Sequence, residues 1–226
     1  MYRYETHMHT GEASACADSS GAEMAEKYKS EGYAGIIVTD HFFNGNSAVP
    51  RGLPWEERIE LYCRGYENAK RRGAEIGLDV FFGFEYGNGG SDYLVYGLDK
   101  QWLMKNDRIL DMELTDFLEY ARRCGGFVVQ AHPFRNYGYI RSTVHAPHFT
   151  DAVEAVNASH IRAGHPEFNE RATLYAEWYG LPVTGGSDSH NTSGKWFGGG
   201  VMSETRFTSV TDYARAVAER KVICIE

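Results

Sequence analysis

Short apolar runs alternate with amphipathic stretches along the 226-residue chain. "AGIIVTDHF", "LDVFFGFE" and "FVVQAHPF" are continuous apolar runs of the kind a strand covered on both faces requires. Tyr2 to His9 reads as a further strand, "YGNGGSDYLVYG" as a hairpin turn leading into another, and "VICIE" as a closing one. Helices are predicted over Ser20 to Glu31, opened by a Ser20/Glu23 capping box, and from Trp55 to about Arg72. Others run from Thr115 to Cys124, stopped by Gly125 and Gly126, and from Pro166 to Tyr179 with Gly180 past its end; a last one lies near Val210 to Arg220. Asn44 to Pro54 is a turn-rich loop. Repeated β-then-α units with short apolar strands imply one α/β domain over residues 1–226, built on a mainly parallel sheet, open or closed into a barrel.

The polar residues fall in one place in each unit. "THMHT", "VTDHF", "GFEYG", "QAHPF" and "GSDSH" set His, Asp or Glu directly after an apolar run, which is the C-terminal rim of parallel strands, where α/β folds build their sites. With those strands adjacent, His7, His9, His41, Glu85, His132, Asp188 and His190 converge on one mouth. On a strand His7 and His9 project to the same side, about 6.6 Å apart, and Glu12 in the loop beyond can reach the same space. Any one of these residues has a structural explanation; five strand ends carrying ligand-type side chains make coincidence a poor one. Imidazole and carboxylate donors without thiolate suit zinc, manganese or iron(II), and eight candidates exceed one tetrahedral site, so two or three ions sharing bridging carboxylates are expected.

Composition narrows the partners. A formal net charge of −8 argues against a large nucleic-acid surface. No apolar run approaches the roughly 20 residues of a membrane span, and "MYRYETHMH" lacks the layout of a signal peptide, so the cytoplasm is the expected compartment. Cys16, Cys63, Cys124 and Cys224 show no paired spacing and read as free thiols, without disulfide or thiolate zinc site. "GNGG" and Gly198 to Gly200 lack the setting of a dinucleotide fingerprint.

The series "HMHT", "TDH", "GFE", "AHP" and "GSDSH" resembles the motifs of the PHP (polymerase and histidinol phosphatase) family, in that family's order and over residues 7 to 190. The resemblance implies a distorted (β/α)7 barrel holding up to three metals at the C-terminal ends of its strands and hydrolysing phosphate esters. It implies metal-binding roles for His7, His9, His41, Glu85, His132, Asp188 and His190. Many members carry an aspartate where this chain has Ser14, and Glu12 is expected to take that ligand's place. In "EAVNASH", where the family often has another histidine or a cysteine, Asn157 and His160 are the local candidates; His160 is favoured as a metal ligand or phosphate contact.

Two or three ions can lower the pKa of a bridging water and clamp the attacking and leaving oxygens, so the expected nucleophile is a metal-bridging hydroxide and no catalytic Ser or Cys is needed. Arg135, three residues after His132, suits a bidentate grip on phosphate, and Asp40 is expected to orient an imidazole or take a proton. The expected substrate is a small phosphate monoester such as histidinol phosphate, a nucleotide or a sugar phosphate. A phosphodiesterase, exonuclease or phosphotyrosine phosphatase on the same site, and a non-catalytic metal-stabilised binding module, are the alternatives. Substrate choice is assigned to the loops Asn44–Pro54 and Phe134–Phe149.

Overall fold

The computed structural model describes residues 1–140, 142–193 and 197–226; Arg141, in the second of those loops, lies outside them. The first strand, β1 (Tyr2–Met8), pairs in parallel with β2 (Gly35–Val38), and β2 with β3 (Asp79–Asn88). A hairpin then makes β4 (Ser91–Tyr96) antiparallel to β3 and to β5 (Phe127–Ala131), after which β6 (Ala152–Asn157) and β7 (Val183–Gly186) continue in parallel. On the other side of β1 lie β8 (Gly200–Ser203) and β9 (Val222–Ile225), both antiparallel to their neighbours. The order is β7-β6-β5-β4-β3-β2-β1-β8-β9, and the sheet curls until its β7 end meets β1. There the His9 N–H donates to Ser189 O and the Asp188 N–H to His7 O, each at 2.8 Å.

A barrel of seven β/α units was expected; nine strands of mixed direction are present among the described residues. Two glycine turns account for the difference. Gly89 and Gly90, at φ 64° and 123°, fold β3 back on itself as β4. Gly198 to Gly200 all have positive φ and bring β8 onto β1 so closely that a Cβ on Gly200 would lie 2.0 Å from Tyr4 O.

The helices follow the sequence pattern except that one is divided and two short ones, Lys100–Lys105 and Ala158–Ala163, were not foreseen. Helix α1 (Gly21–Ser30) starts at the Ser20/Glu23 capping box. The predicted Trp55–Arg72 helix is two, α2 (Trp55–Tyr62) and α3 (Arg64–Ile76), divided at Cys63. A one-turn α4 (Lys100–Lys105), capped by Asp99, was not foreseen. Then come α5 (Leu114–Arg123), the short α6 (Ala158–Ala163), α7 (Pro166–Tyr179), closed by Gly180 at φ 66°, and α8 (Val210–Ala218). No helix among the described residues is long and apolar enough to cross a membrane.

Strand alternation separates the cores. Leu94 and Tyr96 of β4 join Tyr4, Ile37, Val129 and Val201 from other strands in the space around which the sheet curls. Their neighbours Tyr93 and Val95 point outward, into the core with Phe42, Phe84 and Phe117. The inward face is thus apolar low in the strands, and at the upper rim it turns polar. Just below that rim the β1–β2 register shifts between Glu5 and Met8, an irregularity of the kind that re-aims side chains beside sites.

Candidate metal centre

All seven rim residues named by the strand ends come together. Among the described residues, three groupings have ligand atoms within 4.8 Å of one another: His9 with His41 and His190, His7 with Glu85 and His132, and His7 with His9 and Asp188. Two carboxylates join them. Glu85 Oε1 lies 3.3 Å from both His7 Nε2 and His132 Nε2, while Oε2 pairs with His41 Nδ1 and lies 3.7 Å from His9 Nε2. Asp188 Oδ1 is 2.9 Å from His9 Nε2 and 3.5 Å from His7 Nε2. His132 and Asp188 are non-glycine residues at positive φ, 27° and 57°, so the backbone accepts strain at two candidate ligands.

The imidazoles are oriented from outside the cluster, and their partners fix their tautomers. Glu154, buried on β6, accepts from His7 Nδ1 at 2.7 Å through Oε1, and through Oε2 from the His132 N–H at 3.0 Å. A carboxylate can only accept, so His7 Nδ1 keeps a proton whether the ring is neutral or charged, and Nε2 is the nitrogen turned inward. Ser14 Oγ donates to Asp40 Oδ1 at 2.7 Å and accepts from the His41 N–H at 3.0 Å, which leaves it to accept from His9 Nδ1 at 3.2 Å. His190 Nδ1 donates to Asp188 O at 2.8 Å. Asp40 therefore acts on an imidazole through Ser14 rather than directly, and also ties down the Thr10 N–H and hydroxyl.

The electrostatics are those of carboxylates packed against imidazoles. Burial alone would lower His7, but Glu154 and Asp188 outweigh it and hold the group well above its ordinary value. Against its burial, Glu85 raises His41 to about 11. His9 is pushed well below its ordinary value by burial and by neighbouring His41 and His190. Burial would raise Glu85 and Asp188, yet His41 holds the first, and Arg135 with His7 the second, well below the carboxylate range. Burial lifts Asp40 to about 6 against the hydrogen bonds from Thr10 and Ser14.

The donor set fits divalent ions. His7 Nε2 is fully buried, has two carboxylate oxygens within 3.5 Å and makes no hydrogen bond, an arrangement that a cation between these groups would satisfy.

Two expected ligands lie elsewhere. The Glu12 carboxylate accepts from the Gly21 N–H and from Asn68 Nδ2, each at 2.9 Å, at the start of α1 and outside every grouping. Three residues past His9 the chain has already turned toward that helix, whose unpaired N–H groups attract a carboxylate. His160 also joins no grouping. Its Nδ1 donates to Asn169 Oδ1 at 2.9 Å, and its Nε2 accepts from Arg135 Nε at 3.1 Å. Burial, Arg135 and His132 lower it to about 3, so it stands as a neutral acceptor. Asn157 caps α6 through Ser159 and donates to Glu154 Oε2, so both ends of its amide are engaged. Arg135 lies beside the cluster, with Nη2 donating to Asp188 Oδ2.

A cleft of about 510 Å³ opens over the site, lined in part by Cys16, His41, Asn46, Asp92, Arg135 and Tyr139. Another of about 210 Å³ adjoins it at Arg135, Tyr137 and Asn191. Asp92, lifted to about 6 by burial and by Glu85, reaches within 3.9 Å of His132 Nε2. Sequence reasoning missed Glu154, Ser14, Asn169, Asp92 and Cys16. Cys16 lines the cleft beside His190 and His41; partial desolvation would raise the thiol, but those two imidazoles bring it down to about 6.

A family model described as PHP-associated matches residues 166–194, the segment of α7, β7, Asp188 and His190. No curated protein sequence matches the chain. A two-domain protein from Bacteroides vulgatus ATCC 8482, containing a predicted PHP-like metal-dependent phosphoesterase, aligns over 99% of this chain with TM-score 0.71 and 13% identity. This chain spans 64% of that protein's length. A protein of Bifidobacterium adolescentis ATCC 15703, named by inference a metal-dependent phosphoesterase, aligns over 98% of this chain and 97% of its own, with TM-score 0.55 and 19% identity. An amidohydrolase from Chromobacterium violaceum, with sulfate bound and no metal, covers 98% of both chains with TM-score 0.56 and 13% identity. At such identities the likeness is one of fold. The chain is thus similar to PHP-associated sequences over residues 166–194 and shares its fold with proteins described as PHP-like metal-dependent phosphoesterases.

Proposed function

We propose that this protein is a metal-dependent hydrolase of a phosphate monoester, acting on a small soluble substrate such as histidinol phosphate, a nucleotide or a sugar phosphate. The observation that carries the reading is the convergence of seven imidazole and carboxylate ligands into three overlapping groupings around the unpaired His7 Nε2. Two or three ions of zinc, manganese or iron supply Lewis acidity there, activating water and offsetting charge on the phosphoryl oxygens. Glu85 and Asp188 span the groupings and would be the carboxylates shared between neighbouring ions. Glu154, Ser14 and the Asp188 carbonyl present the imidazoles in the tautomer that leaves the inner nitrogen free to coordinate. Arg135, tied through Nε to neutral His160 and through Nη2 to Asp188, would offer its remaining N–H to a phosphoryl oxygen. The volumes of the two clefts suit a small molecule, and the net negative charge of the chain disfavours a polyanion.

The test is phosphate release from a panel of monoesters with one diester and one aryl amide. The protein is stripped of metal and reloaded with manganese, zinc or iron, beside an Asp188→Ala control. Metal-dependent turnover of a monoester that disappears in the control is expected. Silence toward every phosphate ester, from protein that holds its metals, would overturn the reading, and turnover of the amide alone would replace it.

A further inference from the structure

We infer that Glu5 is a positioning residue for the metal centre: its buried carboxylate latches the ends of β1 and β7 together across the seam of the curled sheet, and so sets where His7 stands against Asp188. The inference rests on the reading of the cluster as a metal centre and gives a role in it to a side chain outside every grouping of candidate ligands.

Glu5 is fully buried, and its partners are three backbone N–H groups and one hydroxyl, with no cation among them. Oε1 accepts from the Thr6 N–H at 2.9 Å, the His7 N–H at 3.0 Å and the Ser187 N–H at 2.9 Å. Oε2 accepts from the hydroxyl of Tyr28, on α1, at 2.8 Å. A carboxylate is costly to bury, and the N–H groups gathered on one oxygen are what hold it there. Two of them belong to β1, where its register against β2 shifts. The third lies just past the end of β7, one residue before Asp188. One oxygen therefore grips the backbone of a candidate ligand on one strand and the neighbour of a candidate ligand on the other.

The seam has little play. A Cβ on Gly186 would collide with His7 Cβ and with Glu154 Oε1, and the Asp188 N–H donates to His7 O at 2.8 Å. His7 Nε2 and Asp188 Oδ1, 3.5 Å apart, are carried by the two segments that Glu5 joins, so their separation follows the latch.

This role requires reach rather than charge, and two substitutions separate them. Glu5→Gln keeps an oxygen for the three N–H groups and turns its NH2 to the Tyr28 hydroxyl, which can accept while donating to Ser187 Oγ. Glu5→Asp keeps the charge but draws the carboxylate back from the Ser187 N–H by one methylene, about 1.5 Å.

The readouts are zinc affinity by competition with a chromophoric chelator and the visible spectrum of the cobalt(II)-loaded protein. Val217→Ala, in the core on α8, is the control for lost stability alone. Glu5→Asp is expected to weaken at least one ion about 10–100-fold and to alter the cobalt spectrum at saturation, with Glu5→Gln within about threefold of the wild type. Val217→Ala should lower thermal stability and leave affinity and spectrum unchanged. Wild-type affinity and spectrum in folded Glu5→Asp would overturn the inference and leave the metal centre standing. Losses as large in Glu5→Gln or in Val217→Ala would do the same. Where Glu5→Asp does not fold, Tyr28→Phe decides, because it frees Oε2 and lets the carboxylate turn: an altered cobalt spectrum is expected, and an unaltered one would overturn the inference. Failure of the wild-type chain to bind metal at all would overturn both readings.

Discussion

Replacing Glu154 by glutamine changes one atom of a buried group and separates metal binding from folding. Glu154 Oε1 accepts from His7 Nδ1 at 2.7 Å, and Oε2 accepts from the His132 N–H at 3.0 Å and from Asn157 Nδ2 at 3.1 Å. Glutamine has one carbonyl oxygen. Placed toward His132 and Asn157 it keeps both of those bonds, and its amide NH2 then faces His7 Nδ1. A neutral imidazole, the form an ion requires, can meet that donor only by accepting on Nδ1, which puts its one proton on Nε2, the atom that faces Glu85 and Asp188. The fold keeps its hydrogen bonds while His7 presents a proton where an ion should sit. We therefore expect Glu154→Gln to cost about 1 kcal/mol of metal-free stability, roughly 2–4 °C for a domain of this size. Affinity for the ion at His7 should fall about 10–100-fold, or roughly 1.4–2.7 kcal/mol. The assay is competition for zinc against a chromophoric chelator, with thermal unfolding of the stripped protein beside it. An affinity within about twofold of the wild type in a folded variant would refute the claim that Glu154 sets the tautomer of His7.

Other perturbations have equally definite outcomes. Glu12→Gln should keep the full metal complement by plasma mass spectrometry and lose about 1 kcal/mol at the start of α1; loss of an ion would restore Glu12 as a ligand. Because His7 and His41 are held protonated by their carboxylate neighbours, metal binding should expel protons and strengthen by up to about tenfold per pH unit for each one displaced. Calorimetry in buffers of different ionisation enthalpy counts those protons, and a count of zero at neutral pH would contradict the assignment. The depressed Glu85 and Asp188 contribute metal-free stability that is full above the ordinary carboxylate value of about 4 and is lost as pH falls from there through their folded values. Acid titration of the stripped wild type should therefore show a transition that shrinks in Asp188→Asn. Arg135→Lys should lower kcat about 100-fold with metal content unchanged; an unchanged kcat would remove the guanidinium from phosphate recognition.

The rim was legible because each ligand follows an apolar run whose burial dictates a strand, so the strand's end dictates where the next polar side chain lies. Ser20 with Glu23 and Gly180 were legible for a similar reason, since caps are local chemistry. What failed to show in the sequence depends on contacts between distant segments. Glu154 is one acid inside the apolar "AVEAVN", and only its apposition to His7, far away in the chain, gives it a role. Ser14 and Asp40 meet across two loops. Glu12 misled because nearness in sequence to His9 says nothing of direction once the chain turns into α1. The β3–β4 reversal was legible as a glycine hairpin, whereas the antiparallel β8 was not, because the placement of Gly200 depends on its close approach to Tyr4 in a distant strand.

The most direct test of the central claim is the number of ions the folded chain takes up, counted by native mass spectrometry during titration of metal-stripped protein with zinc, in the wild type and in Asp188→Ala. Since Asp188 touches His7 and His9 and lies beside His190, the wild type should bind at least two ions and the variant at least one fewer. Uptake of no ion by the wild type, or the same number by both proteins, would contradict the account.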